Sequence, residues 1–170
     1  MDGYLTVVSK REIRDYADRP IDPSARRRIL EAGRVSGSSA NKQQWRFIVV
    51  DSDDKRGRLA EMVYTPANVR DAKLIVVVAI AGSGRASFDA GRASQNMMLA
   101  AWSEGIGSCP NGMPDPGATG DMLGLHAGEE PTIVITFGYP ARAVDAESRP
   151  PGEWIARANR KPFDEVVETI

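Results

Sequence analysis

The stretch that most constrains this 170-residue chain is Leu74 to Ala81 (Leu-Ile-Val-Val-Val-Ala-Ile-Ala). Eight consecutive apolar residues, mostly β-branched, between Lys73 and Gly82 predict a strand buried on both faces. The run is far short of the roughly 20 residues that a membrane helix needs. Trp45 to Val50 and Thr132 to Gly138 read as further strands by aromatic and β-branched content, and Ile106 to Pro110 as a short strand or loop. Helices are predicted from Asp22-Pro23, a cap followed by Pro at the first helical position, to about Val35–Gly37. Others are predicted over Asp54–Tyr64 and Asp89–Glu104, with Ala93, Met97, Ala100 and Ala101 as an apolar stripe and Gly105 as the stop. Pro110 to Gly120 reads as loop leading to a short helix near Met122, and Trp154 to Ala158 as one or two helical turns. Helices and strands mix without a regular βαβ rhythm, so the expected class is α+β.

A chain of this length buries about 70% of its unfolded surface and needs no disulfide or metal staple. Its 22 Lys and Arg nearly cancel its 23 Asp and Glu, which disfavours nucleic acid as a partner. One cysteine, Cys109, excludes an intramolecular disulfide, and one histidine, His126, excludes a His-pair zinc site. No basic region followed by an apolar stretch opens the chain, so a soluble cytoplasmic protein is expected. His126 is expected on the surface, Cys109 as a small buried filler, and Trp102, Met97 and Met98 as packing residues.

Three stretches break local rules. Ser9-Lys10-Arg11-Glu12 has the form of a capping box and predicts a helix from Lys10 towards Ala17. Lys10, Arg11 and Arg14 would then crowd a helix N-terminus, where the macrodipole favours anions. A bound phosphate would resolve the conflict; a solvated basic face beside Glu12, Asp15 and Asp18 is the plainer alternative. Ser36 to Trp45 is small, polar and amide-rich, suited either to close approach of a flat polar ligand or to a simple turn. Gly105 to Gly112 is too Gly-rich for a plain connector.

Taken in order, these stretches resemble the nitroreductase family of FMN-dependent oxidoreductases. Lys10-Arg11-Glu12-Ile13-Arg14 resembles its opening basic segment, and Gly37 to Phe47 its Pro-Ser-x-x-Asn-x-Gln-Pro-Trp-x-Phe block. Asp89-x-Gly91-x-Ala93-x-Gln95-Asn96 with Gly105 to Ser108 resembles its central helix and following turn. Phe137-Gly138-Tyr139-Pro140 and Arg160-Lys161-Pro162-Phe163 resemble its last strand and C-terminal arm. The resemblance implies a mostly antiparallel sheet flanked by helices. It implies an intertwined homodimer, with a core over 1–149 and an arm over 150–170 that packs on the partner. FMN phosphate would be held by Lys10, Arg11, Arg14, Arg160 and Lys161. The flavin would lie along Gly37, Ser38, Ser39 and Asn41, usually of the other subunit, with Pro110, Asn111 and Gly112 against one face and a backbone N–H on the reactive ring nitrogen. NADH or NADPH would donate a hydride and a small organic molecule accept it, in ping-pong order, with no catalytic acid, base or nucleophile and no metal. A deazaflavin would suit the same phosphate site. Glu12 stands where the family has Ser, Gly37 and Gln44 where it has Pro, and Gly82 to Phe88 where larger members insert helices. Two other readings compete. One is a flavin-sequestering protein of the same fold. The other is a nicotinamide dinucleotide site on Gly82-Ser83-Gly84-Arg85-Ala86-Ser87, disfavoured by the distance from the glycines to a helix start at Asp89.

Overall fold

The computed structural model describes residues 2–170. They fall into two compact units, Arg11–Val144 and a smaller one made of the residues up to Lys10 with Asp145–Ile170.

The larger unit is built on four strands, β1 (Trp45–Val49), β2 (Leu74–Ala81), β3 (Gly107–Asn111) and β4 (Glu129–Gly138). They run in the order β1-β2-β4-β3, every pair antiparallel. As the apolar run requires, β2 is central and buried on both faces, from Leu74 through Ile80. In the numbering used here α1 is Gly3–Ser9, in the smaller unit, and α2 (Pro23–Arg34) opens the helices of the larger one. With α5 (Arg85–Ser103), α2 covers the face that carries Leu74, Val76, Val78, Ile135 and Phe137. The other face, with Ile75, Val77 and Val134, is covered by α3 (Asp53–Ala60), α4 (Pro66–Asp71) and α6 (Pro116–Leu123).

Asp22 caps α2 as expected, its carboxylate accepting the Ser24 N–H at 2.8 Å. Gly105 ends α5 with φ of +73°, and Ile106 N–H bonds the Ala101 carbonyl at 2.9 Å. The helix expected over 54–64 stops at Ala60, and Thr65-Pro66 starts the short α4 instead. α5 begins at Arg85, one turn before the expected Asp89, directly after Gly84. The glycine loop therefore does run straight into a helix. What removes the dinucleotide reading is the sheet, because that fingerprint belongs to a βαβ unit of parallel strands and β2 has only antiparallel neighbours.

The expected helix over Lys10–Ala17 is absent. Asp2 caps α1, accepting the Tyr4 and Leu5 N–H groups at 2.8 and 3.2 Å, and Ser9 is its last residue. Residues 11–17 are extended and run beside β3. Glu12 bridges to Ser108, Tyr16 to Pro140, and the Ile13 N–H bonds the Ser108 carbonyl at 3.0 Å. Two glycines explain the choice. A Cβ on Gly107 would lie 2.5 Å from that of Ile13, and one on Gly138 would lie 2.7 Å from the Tyr16 ring. Ile13 and Tyr16 seat themselves over these gaps only in an extended chain. The segment also pairs with Ser108 at the start of the outer edge of β3, where the carbonyl would otherwise lack a main-chain partner.

In the smaller unit α1 packs with α7 (Pro151–Arg157), ahead of the short α8 (Phe163–Val166). Trp154 is buried there and its indole N–H donates to the Ala146 carbonyl at 2.9 Å. No helix among the described residues is long and apolar enough to cross a membrane.

Candidate cofactor site

Lys10 is the C-cap of α1 rather than the first residue of a helix. A cation there agrees with the macrodipole. The conflict that pointed to an anion therefore disappears, and with it the helix N-terminus that would have bound one. Arg11 is half-buried, and Arg14 is exposed with no ion pair among the described residues. Both lie on the extended segment beside β3. Lys10, Arg160 and Lys161 belong to the smaller unit, where Arg160 donates to the Ala158 carbonyl at 2.7 Å.

The end of β3 is held by a buried polar network. Asn111, 5% exposed, accepts from Asn68 Nδ2 at 2.6 Å. Its own Nδ2 donates to the carbonyls of Cys109 (2.9 Å) and Val134 (3.3 Å) and to Thr136 Oγ1 (3.2 Å). Thr136 Oγ1 also bonds the Cys109 carbonyl at 3.1 Å and lies 3.0 Å from the Tyr16 hydroxyl. Burial pushes the Tyr16 phenol far above its ordinary range, so it stays a neutral member of the network. The Asn111 side chain is thus committed inside the protein. What Asn111 and Gly112 can present to a ligand is main chain, whereas Pro110 also exposes its ring. The Gly112 N–H has no protein partner among the described residues, while its carbonyl accepts the Tyr64 N–H at 3.1 Å. The Tyr64 ring, 72% exposed, stands 3.2 Å from where a Gly112 Cβ would be. Cys109 is buried, as expected, and its sulfur sits 3.7 Å from Asn68 Nδ2.

The Ser block lies at the other edge of the sheet, before β1. It forms a short 3-10 turn over Ser39–Asn41, with left-handed φ at Ala40 (+50°), Asn41 (+53°) and Gln43 (+51°). Three such residues in four, none of them glycine, need external support. Ser38 Oγ accepts the Gln43 N–H at 2.9 Å, and Gln44 exchanges bonds with Ala81, Nε2 to carbonyl at 2.8 Å and carbonyl to N–H at 3.1 Å. The Ser39 N–H donates to Asp89 Oδ2 at 2.8 Å. A pocket of about 480 Å³ opens beside this turn, lined by Ser38, Ser39, Arg85, Phe88, Asp89 and Arg92 among others.

Arg11, Arg14 and Pro110–Gly112 therefore gather on the β3 side, and Gly37, Ser38, Ser39 and Asn41 on the β1 side. Three strand spacings separate β1 from β3, roughly 14 Å. Asp89 was not singled out as a site residue in the sequence, although a signal existed. It falls on the buried stripe of α5, where a carboxylate needs a partner. His126 is exposed, its N–H donating to Glu129 at 3.0 Å, and the carboxylate that lines the Ser-block pocket, Asp89, is engaged by the Ser39 N–H.

Comparison with known proteins completes this description. The sequence model of the nitroreductase family matches residues 7–81 and 64–139. A putative NADH dehydrogenase/NAD(P)H nitroreductase of Methanothermobacter thermautotrophicus is 31% identical over 150 residues, 83% of this chain and 78% of that protein. An NADPH-flavin oxidoreductase of Vibrio harveyi is 26% identical over 174 residues, 91% of this chain and 72% of that one. The fold superposes on an NADPH:FMN oxidoreductase from Vibrio harveyi, solved with NAD+, with a TM-score of 0.83 over 98% of this chain and 77% of the other, at 23% identity.

Proposed function

The chain belongs to the nitroreductase family, and from that premise we propose that it is a cytoplasmic FMN-dependent NAD(P)H oxidoreductase acting on a small organic acceptor. The observation that carries the proposal is the division of the candidate site between the two edges of the sheet. Each half offers hydrogen-bond donors, the Ser38 and Ser39 hydroxyls on one edge and the Gly112 N–H and Arg14 on the other. Within one chain the halves lie too far apart to hold one ring system. In a homodimer, Ser38 and Ser39 of one copy would meet Gly112 of the other, and the segment from Pro150 would pack on the partner.

The residues suit a phosphate-bearing flavin. Arg14 is a cation without an ion pair among the described residues, and the Gly112 N–H is a donor without a protein partner there. In this reading Lys10, Arg11, Arg14, Arg160 and Lys161 hold the phosphate. Gly37, Ser38, Ser39 and Asn41 lie along the ring, and Pro110 with the main chain of Asn111 and Gly112 packs on one face. Bound FMN would take up and pass on the hydride, which is why the chain needs no acid, base or nucleophile of its own. Main-chain donors such as the Gly112 N–H would hold the ring and favour added negative charge on it. A donor and an acceptor that shared one stacking position in turn would give ping-pong kinetics.

The test is the visible spectrum of the purified protein, before and after anaerobic NADH or NADPH. A flavin spectrum that bleaches supports the reading. A flavin that neither donor reduces favours sequestration, and no flavin uptake even after incubation with FMN overturns both. Intersecting double-reciprocal plots, the mark of a ternary complex, would remove the ping-pong step alone.

A further inference from the structure

The polar residues of α5 brace the Ser block from outside. Asn96 Nδ2 donates to Ser36 Oγ at 2.8 Å, and Ser36 Oγ donates to the Ala32 carbonyl at 2.9 Å. Seven residues earlier on the same helix, Asp89 accepts the Ser39 N–H at 2.8 Å. Two helical turns span roughly 10 Å, and three extended residues, Ser36 to Ser39, span about the same. Ser38 is extended, with φ of −133° and ψ of 156°. The helix thus holds both ends of this short segment at matching spacing. Between the two ties Arg92 lies over Gly37, its Nη2 2.7 Å from where a Cβ would stand, and its Nη1 is 3.5 Å from Asp89 Oδ1. A side chain at 37 would push that guanidinium aside.

We propose that Asp89 and Asn96 are positioning residues that fix Ser38 and Ser39 in the conformation used to contact the flavin of a second copy. The inference rests on the FMN reading above. Asp89 is the stronger tie, because its side chain is only 8% exposed and its carboxylate binds a main-chain N–H at the entrance to three left-handed residues. Without it, Ala40, Asn41 and Gln43 lose a constraint on a backbone that is unfavourable in isolation. Both residues belong to the Asp89-x-Gly91-x-Ala93-x-Gln95-Asn96 motif. That motif therefore has a physical role apart from the apolar stripe of the helix.

The experiment compares wild type, Asp89→Ala, Asp89→Asn and Asn96→Ala, each stripped of flavin. It measures amide hydrogen exchange over residues 36–44, FMN affinity by fluorescence titration, and the melting temperature. Asp89→Ala should exchange faster over 36–44 and bind FMN about tenfold or more weakly, the equivalent of a hydrogen bond to a charged group. Asp89→Asn keeps an oxygen for the Ser39 N–H and should recover most of that loss. Asn96→Ala should act in the same direction by about threefold. A lowered melting temperature with unchanged FMN affinity would overturn the proposal, leaving Asp89 a purely structural residue. If Asp89→Ala does not fold, Asp89→Asn and Asn96→Ala must still show the two effects together, or the proposal fails. Wild-type protein that takes up no FMN would sink the functional reading first, while faster exchange in the variants would still register the tie.

Discussion

Asn111→Ala separates a cofactor contact from a core strut. Asn111 gives three hydrogen bonds and receives one, all buried. Truncation leaves Asn68 Nδ2 with only the weak Cys109 sulfur acceptor at 3.7 Å, and three acceptors short of a donor. Thr136 keeps its bond to the Cys109 carbonyl, and the two carbonyls keep a second lone pair, so the dominant costs are the stranded Asn68 amide and the cavity. We put the total at about 3 kcal/mol. At roughly 2.1 cal/mol/K per residue, 170 residues give a melting entropy near 0.36 kcal/mol/K, so the midpoint should fall by about 8 °C. The assay is thermal and urea unfolding of flavin-free protein at one fixed concentration, because any self-association would shift the midpoint. Asn68→Ala with Asn111→Ala should cost less than the two single changes together, by at least about 1 kcal/mol, since neither partner is then left stranded. Asn111→Asp should be worse than Asn111→Ala, because it sets a buried charge against the Cys109 and Val134 carbonyls with too few donors to balance it. If Asn111→Ala changed stability by less than about 0.5 kcal/mol and only weakened FMN binding, the network argument would be wrong. The side chain would then be a ligand contact.

Two further outcomes follow from packing and charge. Gly107→Ala places a methyl 2.5 Å from Ile13 Cβ, so the extended segment must retreat from β3. The expected loss is about 1–3 kcal/mol, partly restored by Ile13→Gly, which alone removes the Cβ in the way, and an unaffected single variant would show that the segment is not seated there. Arg46 binds Glu129 in two-pronged fashion, Nε lying 2.9 and 3.1 Å from its two oxygens, and that hydrogen bonding holds the carboxyl below the usual range. A depressed folded pKa stabilises the protein above the unfolded value, near 4.3, and the benefit is lost as pH falls through the folded value. Wild type should therefore exceed Glu129→Gln by about 1 kcal/mol at neutral pH, a figure kept small because Arg46 is 37% exposed, and the gap should close in acid. Parallel stability curves from pH 7 to pH 3 would refute this.

Local chemistry made much of the architecture legible. An apolar run with no polar position can only be a strand covered on both sides, and Asp22-Pro23 and Gly105 mark helix ends by backbone requirements that need no distant partner. The errors share one cause. Ser9-x-x-Glu12 satisfies the local rule for a helix start, but the residues that decide its fate, Gly107 and Gly138, are about a hundred positions away. Asn111 enters the sequence reading only through the family resemblance, because an amide serves equally as a ligand contact or a strut. Only the register that sets Cys109 opposite Thr136 and Asn111 opposite Val134 turns it inward.

The central helix carries the consequence for function. Ala86, Ala90, Met97 and Ala101 on its buried stripe fix its position against the sheet. On the proposed reading, that same position sets where Asp89 and Asn96 hold the Ser block. A change in the core under α5 would then be felt at the flavin without touching it. The β3 side, held by Asn68, Asn111 and Thr136, has its own support on the opposite face of the sheet. The two halves of the site should therefore respond independently to substitutions in one chain, since they rest on different layers. Coupling between them would arise only where two copies meet.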